Sequence, residues 1–250
     1  EMLEFALIGI ALGLSLGLFG GGGGILAIPL LVAAGVPTDE AGTTSLVVVG
    51  IGAMGGLIPH ARAGRIAWRE GVLFSALGAA GAIAGSRLAL VTDDRFQLWG
   101  FALVLVVAGA LMLRKALRTG DGGQAATRER RAWWLVVVAA LMVGLFTGFF
   151  GVGGGFLVVP ALALVMGMSM YQATATALLV ITLNSAVAFI PRAGEALDVT
   201  ATVVVAAFVL ISSALAARWS NRWSERGLGI GFASLVLAMS VLTLAQASGA

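Results

Sequence analysis

Of the 250 residues, 60% are hydrophobic and only 11% are charged, and the mean hydropathy is +1.04. A water-soluble domain of this length cannot hide that much apolar surface, so lipid must be its main solvent. The net charge of +3 does not point to nucleic acid, because the basic residues fall in short polar stretches between apolar spans, and the absence of cysteine excludes disulfides and thiolate metal sites.

In chain order, an apolar arm (3–19) leads into five consecutive glycines, Gly20, Gly21, Gly22, Gly23 and Gly24, and a shorter apolar arm (25–34) follows. The first arm carries Glu4 and lacks a basic leader, so it reads as a membrane segment and not as a cleaved signal peptide. Helices are expected near 40–58, 70–91 and 95–117. A polar stretch with Gly120, Gly122 and Gly123 comes next. The plan then repeats, with arms near 132–150 and 156–167 and helices near 170–190, 198–217 and 227–247. Leu, Val, Ala and Gly dominate without long alternating strands, so the expected class is an all-α polytopic membrane protein and not a barrel.

The second half copies the first at an offset of 131 residues. From 13 to 31, 11 of 19 positions are identical to their counterparts, including Gly20, Gly22, Gly23, Gly24 and Pro29 against Gly151, Gly153, Gly154, Gly155 and Pro160. The expected organisation is therefore repeat 1 at 1–117, a cytoplasmic linker at 118–131 and repeat 2 at 132–250.

Charge decides how the glycine-broken stretch lies. If it makes one crossing, the two sides carry 10 and 5 basic residues. If it is a hairpin, Arg62, Arg65, Arg69, Arg114, Lys115, Arg118, Arg128, Arg130, Arg131, Arg218, Arg222 and Arg226 share one side, and only Arg87, Arg95 and Arg192 face the other. The steeper asymmetry favours the hairpin, because cytoplasmic loops collect Lys and Arg. Each unit then crosses three times, and the second is inverted relative to the first, a plan recurrent in secondary transporters.

Glycines in a row end a helix, and backbone released at membrane depth must face protein or a wet cavity. The short arms that follow present unpaired N–H groups and a positive dipole end, which suits an anion. Gly20–Gly24 with Gly151, Gly153, Gly154 and Gly155 are therefore candidate substrate contacts. Gly9, Gly13, Gly17, Gly144 and Gly148 are read as helix-packing positions. Thr43, Thr44, Ser45, Thr174, Thr176 and Asn184 are candidate polar lining, and Arg62 and Arg192 candidate anion guides at opposite mouths. His60 is placed in a loop as a solvated side chain, and Asp39 and Glu40 as caps at a helix start. No metal site, cofactor or acid–base pair for catalysis is expected. The partners expected are a small anionic substrate and the lipid bilayer, with a homodimer left open.

The doubled Gly-Leu-Phe-Gly-Gly-Gly-Gly-Gly and Gly-Phe-Phe-Gly-Val-Gly-Gly-Gly cores, each followed by Pro29 or Pro160 and a Thr-rich helix, resemble the sulfite exporter TauE/SafE family over about residues 5 to 245. That resemblance implies a multi-pass inner-membrane transporter of sulfite, sulfoacetate or a related anion, with export the favoured direction. An anion channel of the same fold and a proton-coupled uptake permease are the alternatives.

Overall fold

The computed structural model describes residues 2–118, 133–150, 155–192, 194 and 196–249. The expected linker falls almost entirely outside the described residues, as do Gly151, Gly153 and Gly154. Described residues form helices joined by short turns: α1 (Met2–Phe19), α2 (Gly22–Ala33), α3 (Thr38–Arg62), α4 (Trp68–Ala89), α5 (Asp94–Arg118), α6 (Trp133–Phe150), α7 (Gly155–Pro160), α8 (Met170–Phe189), α9 (Val199–Trp219) and α10 (Glu225–Gly249). Eight of them are long and apolar enough to cross a membrane; α2 and α7 are short. A wider π turn, Ala161–Val165, continues α7 beyond Pro160. Leu3, Leu7, Ile83, Leu103, Ile211 and Val241 stay exposed, as lipid contact requires.

Glycine contacts give the helix directions. Gly9, Gly13 and Gly17 of α1 meet Val205, Val209 and Ser213 of α9 in turn, so these two helices are parallel. Gly52 and Gly55 of α3 meet Val209 and Ser213, and Thr44 faces Thr202, so α3 runs the same way. Parallel α1 and α3 are separated in sequence only by α2. The short helix must therefore carry the chain back to the side where α1 began. The α1–α2 unit is a hairpin, as the charge pattern predicts.

The other helices complete the topology. Gly42, Gly50 and Gly56 of α3 meet Arg192, Ser185 and Leu178, so α8 is antiparallel to α3. Helix α4 is parallel to α8, through Ala67–Thr176, Gly71–Leu179 and Ser75–Asn184. Helix α6 is parallel to α4, through Gly144–Gly78 and Gly148–Ala82. These last two contacts are the Gly13–Val209 and Gly17–Ser213 contacts of α1 on α9 moved by 131 residues, with the chain direction reversed. Helices α5 and α10 pack antiparallel, with Gly109 on Ala233 and Gly229 on Ala116. Arg62, Arg65, Arg69, Lys115, Arg118, Arg218, Arg222 and Arg226 consequently share one end of the bundle, while Arg87 and Arg192 lie at the other.

A Cβ on Gly13 would collide with the Val209 carbonyl, and one on Gly144 or Gly148 with the carbonyls of Gly78 or Ala82. Side chains are excluded from both crossings, so two backbones touch. Ser213 Oγ donates to the Gly52 carbonyl at 2.7 Å, which ties α9 to α3, while Ser212 Oγ donates within its own helix to the Phe208 carbonyl at 2.6 Å and lies 3.2 Å from the Gly9 carbonyl.

One expected boundary moves. Helix α3 does not stop near 58 but runs through Pro59 to Arg62. The proline removes only one helical N–H bond and the last turn still closes, with Ala63 N–H on the Pro59 carbonyl at 3.1 Å. His60 is therefore not a solvated loop residue. It lies within α3 at 1% exposure. The caps also differ, since α3 starts at Thr38 after Pro37 with no side-chain cap, leaving Asp39 and Glu40 in its first turn.

Two tests follow. Gly144→Leu and Gly148→Leu should each destabilise by at least the roughly 1–3 kcal/mol typical of overpacking, read as lost detergent-stable protein, while Leu103→Ala on the lipid face should not. The natural absence of cysteine makes single-cysteine labelling clean. In sealed vesicles, Ala63→Cys and Asn221→Cys should label from one face, and Val91→Cys and Ala196→Cys from the other. A single broken crossing would instead pair 63 with 196.

Candidate functional site

The first hairpin tip forms because Gly20 takes φ +74°, a left-handed conformation that other residues adopt at a cost. Its N–H still bonds to the Leu16 carbonyl at 2.7 Å and closes α1. Helix α2 restarts one residue later, with Gly21, which has no side chain to serve as a cap, as its N-cap. Gly21, Gly22, Gly23 and Gly24 are all buried. The first N–H groups of a helix have no partner within the helix and call for one. The 12-residue α2, about 18 Å long, adds the positive end of its dipole at that point.

Neighbours close tightly around this tip. A Cβ on Gly20 would lie 2.7 Å from the Thr174 carbonyl oxygen, and one on Gly21 would strike the Gly155 carbonyl. Likewise a Cβ on Gly22 would strike Ser15 Oγ and Leu235. The starts of α2 and α7 thus lie against one another, backbone to backbone. Close packing accounts for why these positions are glycine, and it also brings polar groups to the start of α2.

Two hydroxyls there have no hydrogen-bond partner, Ser15 Oγ and Thr174 Oγ1. Ser15 is beside Gly22 and Thr174 beside Gly20. His60 lies at the Gly17 backbone, within reach of the Arg65 charge. The antiparallel register of Gly56 on Leu178 places His60, one turn on, opposite Thr174, one turn back. Over this cluster, Arg65 stacks on the Tyr171 ring at 4.8 Å.

The other expected residues divide clearly. Thr176 accepts from the Ala67 N–H at 3.1 Å and so holds the start of α4. Asn184 accepts from Ser75 Oγ at 2.5 Å, joining α8 to α4. Ser45 donates to its own helix at the Gly42 carbonyl (2.8 Å), and Thr44 accepts from Thr202 Oγ1 at 3.5 Å. Thr43 is buried on the same helix. Of the polar lining candidates, only Thr174 reaches the first tip with a free hydroxyl. Arg62 and Arg192 are exposed at opposite ends of the bundle, with Arg192 beside Gly42. Gly155 begins α7 against Ile181, and Phe156 behind it packs edge-on to Phe101 at 5.5 Å.

Sequence reasoning overlooked Ser15, His60 and Arg65. A signal for His60 was present: Gly52, Gly56 and His60 recur every four residues on one face of α3. Lys115 was also read only as a cytoplasmic charge. Its Nζ donates to the carbonyls of Ala163 (2.5 Å) and Met168 (3.1 Å) and caps the C-terminal end of the second returning arm.

A returning short helix within a bundle of eight long apolar helices gives the described residues the architecture of a multi-pass membrane protein. The chain belongs to the sulfite exporter TauE/SafE family, whose model matches residues 5–243. It is 39% identical over 171 residues to a probable membrane transporter protein of Xylella fastidiosa, covering 68% of this chain but 65% of that relative's length. A probable membrane transporter of Bacillus subtilis, YunE, is 25% identical over 201 residues, covering 71% and 73% of the two chains. A third, ORF9 of a Sinorhizobium species, is 27% identical over 155 residues, 62% of this chain and 58% of that one.

The hydrogen-bond pattern separates two threonines by experiment. Thr176→Val should cost about 1–2 kcal/mol of stability by stranding the Ala67 N–H. Thr174→Val, which strands nothing, should leave the melting temperature unchanged or raised. Differential scanning fluorimetry in detergent reads both.

Proposed function

We propose that this protein is a secondary transporter that moves a small sulfur-containing oxyanion or organosulfonate, such as sulfite or sulfoacetate, across the inner membrane in the direction of export. In this reading, residues 1–117 and 132–250 are duplicated, inverted units joined by the cytoplasmic segment 118–131. One observation carries the proposal: the start of α2 is buried, uncapped and flanked by the unpartnered hydroxyls of Ser15 and Thr174. An oxyanion accepts from such N–H and O–H groups and offsets the dipole, whereas a cation would meet the wrong sign.

The absence of carboxylates supports the same reading. Helices α2, α6, α7, α8 and α9 contain no Asp or Glu at all. Cation carriers bury such groups. An anion also needs no coupled ion to leave a cell, since an interior-negative potential drives it out at about 2.3 kcal/mol per charge per 100 mV.

Proteoliposomes loaded with labelled sulfite, sulfoacetate or chloride, with and without a pH gradient, test this reading. Saturable flux of the sulfur anions with counter-transport is expected. Ohmic chloride current would point to a channel, and no anion flux at all would reject the proposal. Gly22→Leu, if it folds, should abolish the flux.

A further inference from the structure

We propose that Arg65 forms a capture site for a soluble oxyanion at the basic end of the bundle: its guanidinium, poised over the Tyr171 ring, donates paired N–H groups to two oxygens of a sulfonate or a similarly shaped anion. The inference goes beyond the reading of the first hairpin tip by adding an outer binding site, and it does not depend on flux through the protein.

Arg65 lies in the turn between α3 and α4, outside both spanning helices. The backbone sets its position. Gly64 takes φ +66°, and the Arg65 N–H then bonds to the His60 carbonyl at 3.2 Å, the closure typical of a helix that ends in a left-handed residue. A ring holds the side chain. Its Cζ lies 4.8 Å from the Tyr171 centroid, and the Tyr171 hydroxyl in turn donates to the Trp223 carbonyl at 2.5 Å. The α3–α4 turn, the start of α8 and the segment before α10 together fix one guanidinium.

That guanidinium lacks a counter-charge. Among the described residues it makes no hydrogen bond and no ion pair beyond its place over the ring. Glu225 accepts from the Met170 N–H at 3.0 Å, and Glu70 lies in the first turn of α4 without pairing to Arg65. Arg65 is half-buried, whereas Arg62 and Arg69 on either side are exposed. The difference matters for binding. A free arginine gives up rotamer freedom to grip an anion with two N–H groups, and one already held over a ring gives up less. Tyr171 covers one face, which leaves the N–H edge for a ligand. A paired grip needs an acceptor with two oxygens, which sulfonates, sulfite and phosphate groups share and chloride lacks. The other arginines of this end, Arg62, Arg69, Arg218, Arg222 and Arg226, concentrate anions of any shape. The site also adjoins the tip: Thr174 follows Tyr171 by one turn of α8, has an unpartnered hydroxyl and lies with its backbone against Gly20.

Arginine modification by phenylglyoxal, followed residue by residue by mass spectrometry, tests the site in the full-length protein in detergent at constant ionic strength. The probe is methanesulfonate, which does not consume the reagent. At saturation it should slow modification of Arg65 about tenfold and that of Arg62 and Arg69 less than about twofold, while chloride at the same concentration should protect none of them. Equal protection of all three arginines, or chloride protecting as well as methanesulfonate, would reduce the effect to charge screening and overturn the site. Protection by phosphatidylglycerol in nanodiscs with none from methanesulfonate would assign the guanidinium to a lipid headgroup and equally overturn it. If Arg65 resists the reagent without any anion, calorimetry of methanesulfonate binding decides. Arg65→Lys keeps the charge but loses the paired donors, and should weaken binding about tenfold or more; Tyr171→Leu, which removes the ring, should weaken it severalfold. Unchanged binding in Arg65→Lys would refute the proposal. Arg65 protected in a protein without anion flux would keep the capture site and reject the transport reading, and flux without protection would do the reverse.

Discussion

Where Gly13 and Gly17 lie on α9, and Gly144 and Gly148 on α4, two helix backbones meet with nothing between them. Lipid supplies no hydrophobic drive to press helices together, so association depends on such close contact and on the few polar bonds made across it. The Ser213 hydroxyl of α9 reaches the Gly52 carbonyl only because no side chain stands in the way. These crossings hold α1 and α6, the long arms of the two hairpins, at fixed depth against the opposite half of the chain. Everything at the tips inherits its position from them.

The tips are costly structures in a medium without water. Opening the backbone at Gly20 and Gly21 leaves the start of α2 buried without a side-chain cap, and Ser15 and Thr174 beside it carry hydroxyls without partners. A stable protein tolerates such a cluster where a ligand satisfies it part of the time, and strain of this kind gathers at functional sites. The second tip differs: a six-residue α7 runs into a π turn, and Lys115 clamps the far end of the arm through backbone carbonyls. The two halves share a plan without sharing every chemical group.

The fold was largely legible. Hydropathy and glycine breaks located the ten helices to within a few residues, and the basic residues chose the hairpin over the single crossing. One reading failed for a reason of context: the helix expected near 40–58 runs on through Pro59, because proline in a final turn removes one bond that the rest of the helix easily spares. Residue type marked Thr176, Asn184 and Ser45 as polar lining, but type does not reveal that each also bonds within the bundle.

The sequence by itself determined the solvent and the all-helical class, because hydropathy and its breaks are local quantities that add along a chain. Only the tertiary structure decided which polar groups are left without partners and which meet at the start of α2. That depends on contacts such as Ser15 with Gly22 and Thr174 with Gly20, and these exist only once the folding back of α2 and the packing of α8 against it have been set.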